Sequence, residues 1–569
     1  MAASQPARFV NKRANFSSVA GQTASPPPME NSAPYSRPMG ALETFFKKLS
    51  DAGAPANREH AAFFTVLQVR FPSCITDVEA YIARAWEVIM RRFPELRGEV
   101  SPPDEADPHN RPRITVRPFA EYCYRDTFSV HPECPNVDVL FSSPCQRKTA
   151  SCCWLPGPGQ VVLRTSHWRT DGLGLILMSD VFMSTLATVV QLGLGAPLSR
   201  YFTQKPLEPP FGPSLEDVIR NYMQYPPCDA EDAANADDLV DTFVNGGRSI
   251  ALPTRPGSDA ALPSAGARAA LRMTAASTAE LARACHAQGV SVTSALNAAI
   301  IRATTRYPQD PDADSYVLFA PIDLRGPLIA AGAQECMQPT GTFVSGLPMR
   351  IDGVVKRSEN GDSVPAKSFD DLARELSAYY SQDALNYRQP GDPNAKTVNF
   401  LQLAEPYMER MTKLFSKFPL PGCPHPKTPV ISSLGKMDEL LKREYPSGDD
   451  GVNVAPKVLV TDFWVGVDNS TPMITFHPWS WGAELTVAAA WNDSFYSTEI
   501  AVDMLRKTLE ELGEGLQIGK LSYRIVTSCY DASTQVKGLS ADALARDGAS
   551  RSHTPHPLNI NDHDTAVSS

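Results

Sequence analysis

The chain reads as an α/β protein with mixed sheets, an α/β sandwich, on three observations. Strand-like and helix-like patterns alternate from about residue 39 to about residue 530. Apolar residues make up 43% of the 569, enough for a large core. A stretch with six acids between Asp229 and Asp241 and no base, followed by Gly, Pro, Ser and Ala, separates two such alternating regions. The expected organisation is a disordered leader over 1–38, an N-terminal lobe over 39–225, a crossover linker over 226–268, a C-terminal lobe over 269–530 and a disordered tail over 531–569.

In the first region "GALETFFKKLSD" opens as a short helix and "HAAFFTVLQVRF" has the β-branched and aromatic content of a strand. Val78, Ile82, Ala85, Val88 and Ile89 follow helical spacing, and Pro94 stops that helix. Residues 101–158 read as loop-rich. "QVVLRTS" is a strand, and a helix runs from about Leu173 to Gln191. In the second region Ser277 with Glu280 reads as a capping box, and Gly289 as the helix stop. "SVTSALNAAIIRATTRY" is an apolar helix. "YVLFAPIDLR" and "TFVSGLPMRI" are strands, and "SFDDLARELSAYYSQDAL" is helical. "TPVISSLGKMDELL" reads as strand, turn at Gly435 and short helix. "KVLVTDFWVGVD" and "ELTVAAAWND" are late strands before a closing amphipathic helix.

The net charge of −10, without a basic stripe, argues against nucleic acid and anionic membrane as partners, because phosphate binding needs clustered Lys and Arg. Eleven scattered cysteines include no C-x-x-C pair, and no His or Cys has zinc-ligand spacing, so no metal is expected. Without a signal peptide these read as reduced thiols of a cytoplasmic protein. No apolar run of about eighteen residues stands out, so no membrane-spanning helix is expected. Arg8, Lys12 and Arg13 precede the first acid, as in a transit peptide, but the Ser-, Ala-, Gln- and Pro-rich composition reads as a disordered leader.

The chemistry concentrates at "SHWRTDGLGL". His167, Asp171 and Gly172 spell H-x-x-x-D-G between a strand and an apolar helix. A His leaving a strand end can present its imidazole to a cleft, and its ordinary pKa near ~6.5 suits a general base at neutral pH. Gly172 permits close approach where the chain enters the helix, whose first N–H groups are unpaired. Three fixed residues in six do not alone separate a catalytic His from a structural one.

The order of the motifs does. "LETFFKK", "AWEVIMRRFPELRGEV", "SHWRTDGLGL", "VTSALNAAIIRA", "PIDLR", "GTFVSGLPMRI", "PVISSLGKMDELL" and "ELTVAAAWNDSFYS" together resemble, in sequence order over roughly residues 39–530, the superfamily of chloramphenicol acetyltransferase, peptide-synthetase condensation domains and BAHD acyltransferases. The flavour is that of its fungal secondary-metabolite branch, similar to the trichothecene 15-O-acetyltransferase-like proteins, several of which serve mycotoxin biosynthesis. The resemblance implies two chloramphenicol acetyltransferase-like lobes with the active site in a channel between them. It implies His167 as general base, Asp171 as a structural partner of Arg325, and Gly172 as a candidate oxyanion donor, with Ser433 and Ser480 as weaker ones. It implies no bound cofactor, acyl-CoA (acetyl-CoA first) as cosubstrate, a small-molecule alcohol as acceptor, and a monomer.

Two departures qualify it. The plant D-F-G-W-G motif survives only as "DFWVG", Asp462 to Gly466, so Asp462 reads equally as a plain strand residue. Ser166 stands where condensation domains often have a second His, which disfavours the alternative of an N-acyltransferase or ester synthase fed by a carrier protein. A retained fold without catalysis is a third reading. A serine hydrolase is disfavoured, because no G-x-S-x-G elbow is present. Trp464 and Trp491 read as strand core. Trp168, and Trp479, Ser480 and Trp481 in an apparently polar, Pro-containing connection, are the candidates for a substrate pocket.

Overall fold

The computed structural model describes residues 34–527 apart from 106, 108, 120–123, 143–146, 203–211, 391–394, 419–424 and 447–455; the expected tail, and the expected leader up to residue 33, lie outside the described residues. Tyr35–Pro38, at the end of the expected leader, is a strand paired with Arg113–Val116.

Two six-stranded sheets carry the architecture. In the first, the order is Glu444–Tyr445, Val458–Asp468, Ala62–Arg70, Gln160–Thr165, Ser151–Leu155, Phe128–Val130. The late strand Val458–Asp468 is thus built into a sheet made otherwise mainly of early chain, antiparallel to Ala62–Arg70. Phe128–Val130 runs parallel to its neighbour, so the sheet is mixed. Helices Val78–Arg92 and Gly172–Leu192 pack together beside it. The second sheet joins Thr475–Trp481, Glu484–Asn492, Gly266–Met273 and Tyr523–Thr527, with the short strands Val430–Ile431 and Gly435–Lys436 both paired to Thr475–Trp481. Its core is filled by helices Val292–Thr305 and Thr498–Gly515. A third sheet pairs Ala313–Asp323 with Val344–Ile351. The α/β class with mixed sheets is therefore the observed one.

Several local expectations are corrected. Within the stretch expected as linker, Ala230–Val244 is a helix: Asp229 accepts from the N–H groups of Glu231 and Asp232 in a capping box, and acids in the first turn suit the positive end of a helix. The cap of Ala275–Ala287 is Thr274, which accepts from Ser277 N, so Ser277 is not the cap; Gly289 (φ 69°) does follow the helix end. The stretch after Gly435 is turns, without the short helix. Ser151–Leu155, read as loop, is a strand buried along its whole length, which erases the alternation that marks a one-sided strand. Gly172–Leu192 is long and apolar enough to cross a membrane, contrary to the expectation that no such segment exists; it is mostly buried inside the protein, as a core helix is.

The segment holding Trp479 and Trp481 is also not a polar connection. Thr475–Trp481 is an interior strand, and both indoles lie in the apolar core. Pro478 is tolerated because its missing N–H falls opposite residues 432–434, where the neighbouring chain is irregular between its two short strands; only the Pro478 carbonyl is used there, by Leu434 N at 3.0 Å.

Candidate active site

The turn that carries His167 is held from three directions. Asp171 caps the helix that follows, accepting from Gly174 N at 2.8 Å. Its other oxygen accepts from Phe343 N at 2.8 Å and from Arg325 Nη2 at 2.8 Å. Asp171 is fully buried and Arg325 is 4% exposed, and Arg325 also donates to Asp323 at 3.0 Å. Burial works against the Arg325 charge, but Asp171 and Asp323 more than offset it, so its pKa is raised.

Residues 341–343 complete the clamp. Gly341 N donates to Arg169 O at 2.7 Å, and Thr342 Oγ1 donates to His167 O at 3.0 Å. Thr170 Oγ1 donates to Pro339 O at 2.6 Å. Gly174 lies so close to Thr170 Oγ1 and Pro339 O that a Cβ there would overlap both. These backbone contacts carry no motif, so sequence reasoning missed them; the glycine was the one available signal.

His167 is part-exposed, open to a cavity of about 3000 Å³ that it lines together with Gly172, Ser433 and three other histidines, His60, His425 and His477. Phe46 stacks on its ring at 3.7 Å and 12°, and Phe63 meets it edge-on at 4.9 Å. Burial pushes its pKa down to about 4, against the opposing effects of the Asp171 charge and of its own carbonyl. The ring is therefore neutral at pH 7. Its Nδ1 is buried without a hydrogen-bond partner among the described residues.

The other expected residues divide. Gly172 lines the cavity at the first position of the helix. Ser433 lines it too; it accepts from Thr293 at 2.9 Å and keeps its own proton to donate. Trp168, Trp479, Ser480 and Trp481 are not among the residues lining the cavity. Trp168 is 3% exposed, with Arg169 stacked 3.9 Å from its ring, and Ser166 is buried and accepts from Arg169 at 2.7 Å. Asp462 pairs with Arg272 at 2.9 Å, tying the first large sheet to the second. Among the described residues one His and carboxylate grouping, His109, Glu405 and Glu409, has metal-like spacing; it lies away from the cavity, and Arg111 already pairs with both carboxylates.

Comparison with known proteins gives a consistent result. A family model described as the C-terminus of phthiocerol/phthiodiolone dimycocerosyl transferase matches residues 263–377. The Loline biosynthesis cluster 1 transcription factor lolU1 of Epichloe uncinata is 27% identical over 496 residues, spanning 84% of this chain and 95% of that protein. The O-acetyltransferase pigM of Monascus ruber is 24% identical over 469 residues, spanning 81% of this chain and 82% of that protein. Among solved structures, TRI3 trichothecene 15-O-acetyltransferase from Fusarium sporotrichioides shares the fold with a TM-score of 0.62 at 13% identity, over 86% of this chain and 99% of that one. The first condensation domain of the calcium-dependent antibiotic synthetase does so with a TM-score of 0.54 at 15% identity, over 88% and 100%. The motif order along the sequence, the mixed-sheet fold and these relatives agree: the chain has the fold of the condensation-domain and chloramphenicol acetyltransferase-like proteins and is similar to acyltransferases that share it.

Proposed function

We propose that this chain is an acyltransferase that moves an acyl group, acetyl first, from acyl-CoA to a hydroxyl of a secondary-metabolite small molecule, with His167 as general base. The observation that carries the reading is a neutral His167 on the wall of a large cavity, its turn fixed by the buried Asp171–Arg325 pair. With Nδ1 buried, Nε2 is the nitrogen that takes the proton of the acceptor hydroxyl. The alcohol oxygen attacks the thioester carbonyl, and a tetrahedral oxyanion forms. As it collapses the C–S bond breaks, and the CoA thiolate takes the proton back from His167. Such proton transfer contributes about 10²–10⁴-fold; alignment of two substrates and donors aimed at the oxyanion supply the rest. The Gly172 N–H and the Ser433 hydroxyl are the donors assigned to it, because both residues line the cavity and Ser480 does not.

The names of pigM and TRI3, both acetyltransferases, support acetyl transfer to oxygen. The name of lolU1, a transcription factor, draws no support from a net charge of −10 without a basic stripe, which argues against DNA as a partner. The test compares extracts of the native host carrying wild type or His167→Ala by untargeted mass spectrometry. Loss of a product, with a precursor lighter by one acyl unit accumulating, supports the reading, and the mass difference names the donor. Identical extracts with the variant protein still expressed refute it. Purified enzyme that ignores free acetyl-CoA but accepts carrier-bound acyl groups replaces it with the condensation-type reading.

A further inference from the structure

Three neighbouring strands of the first large sheet end side by side at the cavity. Phe63, near the start of Ala62–Arg70, pairs with Thr165 on one side and with Val467 on the other. His60, His167 and Ser470 follow just beyond those pairs, and all three line the cavity. The chain around His60 is braced. Arg58, 1% exposed, pairs with Asp468 at 2.7 Å, His60 N donates to Ser50 O at 3.0 Å, and Ala61 N donates to Asp468 O at 2.9 Å. Ala61 holds φ 59°, in the left-handed region that residues with a Cβ avoid. Such strain persists only where the surroundings over-determine it, and it gathers at functional sites.

His60 is 4% exposed, and its two ring nitrogens meet different surroundings. Nδ1 accepts from Ser470 N at 3.0 Å. That bond needs the Nδ1 lone pair, so the proton of the neutral ring sits on Nε2. Nε2 has no hydrogen-bond partner among the described residues and keeps accessible surface, whereas Nδ1 of His167 is buried. Burial, with the charges of His425 and His167 adding to it, pushes the His60 pKa down to about 3. At neutral pH the ring therefore offers the cavity one N–H, no lone pair and no charge. It cannot compete with His167 as a base. The acceptor hydroxyl is a poor match for this donor, because a hydrogen bond to its oxygen would draw off the lone pair that attacks. The thioester carbonyl is the good match: its oxygen gains negative charge during the attack, and a fixed neutral imidazole N–H aimed there lowers the barrier.

We infer that His60 is a further catalytic residue, whose Nε2–H donates to the carbonyl oxygen of the acyl thioester and holds the oxyanion formed from it. This rests on the acyl-transfer reading above and adds a donor to Gly172 and Ser433. The His60 proton stays on Nε2 throughout. Its hydrogen bond tightens as the alcohol oxygen adds and relaxes as the C–S bond breaks, while the transferred proton travels by way of His167.

Two variants separate the halves of the ring. His60→Asn puts an amide oxygen where Nδ1 was, keeps the acceptor for Ser470 N and removes Nε2–H. His60→Gln puts an amide N–H where Nε2 was and gives up the Ser470 bond. The full chain is assayed with acetyl-CoA on the metabolite extract of the native host carrying His167→Ala, with product followed by mass spectrometry. His60→Asn is expected to melt like wild type and to lose about 10²–10³-fold in kcat, with little change in the KM for acetyl-CoA. His60→Gln is expected to melt lower yet to turn over at least about tenfold faster than His60→Asn; a purely structural histidine gives the reverse order. Infrared difference spectra of bound acetyl-CoA carrying carbon-13 at the carbonyl carry the test if the Gln variant fails to fold. The carbonyl band is expected to lie lower in wild type than in His60→Asn. A loss below about tenfold in His60→Asn, a folded His60→Gln no faster than His60→Asn, or one carbonyl band shared by wild type and His60→Asn each overturns the assignment. Wild type no faster than His167→Ala on that extract overturns the acyl-transfer reading itself, and this inference with it.

Discussion

Arg325 Nη2 donates to Asp171 Oδ2 at 2.8 Å across 154 residues of chain, and the two side chains are 5% and 0% exposed. The pair touches the cavity only through Arg325, whose guanidinium is already taken up by Asp171 and Asp323. Its work is mechanical: the same carboxylate caps the helix after His167 and receives the N–H of Phe343, so one charge holds three segments in register.

Removing that charge strands Arg325 with Asp323 alone. Asp171→Ala is expected to cost roughly 3–5 kcal/mol of stability, the usual cost of breaking a buried pair from one side. Chemical denaturation checks it. A double-mutant cycle with Asp171→Asn and Arg325→Gln should show the double variant losing clearly less than the sum of the two single losses. Additive losses would mean that the two residues do not act as a pair.

The pH dependence of turnover follows from the burial of His167. A general base works when unprotonated, so activity is lost as pH falls through its pKa and is flat above it. With that pKa pushed down to about 4, the acid limb of kcat/KM should fall near pH 4, well below the ordinary value of 6.5. Phe46→Ala removes the ring stacked at 3.7 Å and admits water. The acid limb should then move up toward 6.5, read from pH–rate profiles of the two proteins. A limb that stays in place would assign the low pKa to the remaining walls.

How far this site was legible in the sequence depends on what kind of group makes it. His167, Asp171 and Gly172 form a local motif that survives in a sequence, whereas Arg325, 154 residues from Asp171, is reached only through the resemblance of "PIDLR" to the family's D-x-R strand. The clamp by residues 341–343 is made largely of backbone N–H groups, which every residue has, so no pattern marks it. Trp479 and Trp481 misled because Pro478 reads as a strand breaker, and only the irregular neighbouring chain makes it harmless there. The acid-rich 229–241 stretch likewise reads as a linker, but Asp229 and Asp232 cap a helix there whose Ala236 and Leu239 are buried. In the fold, alternating patterns found most long elements; the wholly buried Ser151–Leu155 escaped because it has no polar face.

Gly174 tests the clamp without touching a charge. A Cβ at this position would overlap Thr170 Oγ1 and the Pro339 carbonyl, and the latter is backbone that cannot rotate away. Gly174→Ala is therefore expected to destabilise by ~1–3 kcal/mol, as overpacking does, although alanine is ordinarily the better helix former. It should also lower kcat more than it raises KM, because the His167 turn moves relative to the substrates. Steady-state kinetics beside thermal unfolding check this; a stabilised Gly174→Ala would show that the segment at Pro339 yields freely.

A buried acid also makes stability depend on pH. Glu216 is 5% exposed; one of its oxygens accepts from Leu42 N at 2.8 Å, at the start of the helix Ala41–Ser50, and the other is buried without a partner among the described residues. Burial pushes its pKa up to about 7, against the Leu42 hydrogen bond and helped by Glu43 and Glu405. Between the ordinary carboxylate value of 4.5 and about 7, the folded chain holds a proton that the unfolded chain has released. Stability from this group is thus fully present at pH 4.5 and below, and is lost as pH rises through 7. Glu216→Gln keeps the acceptor for Leu42 and cannot ionise. Its Tm relative to wild type should therefore rise steadily from pH 5 to pH 8, in melts of the full chain. A Tm difference that does not change with pH would show that Glu216 is already ionised in the folded protein, its charge reaching water along the face it shares with Gly40.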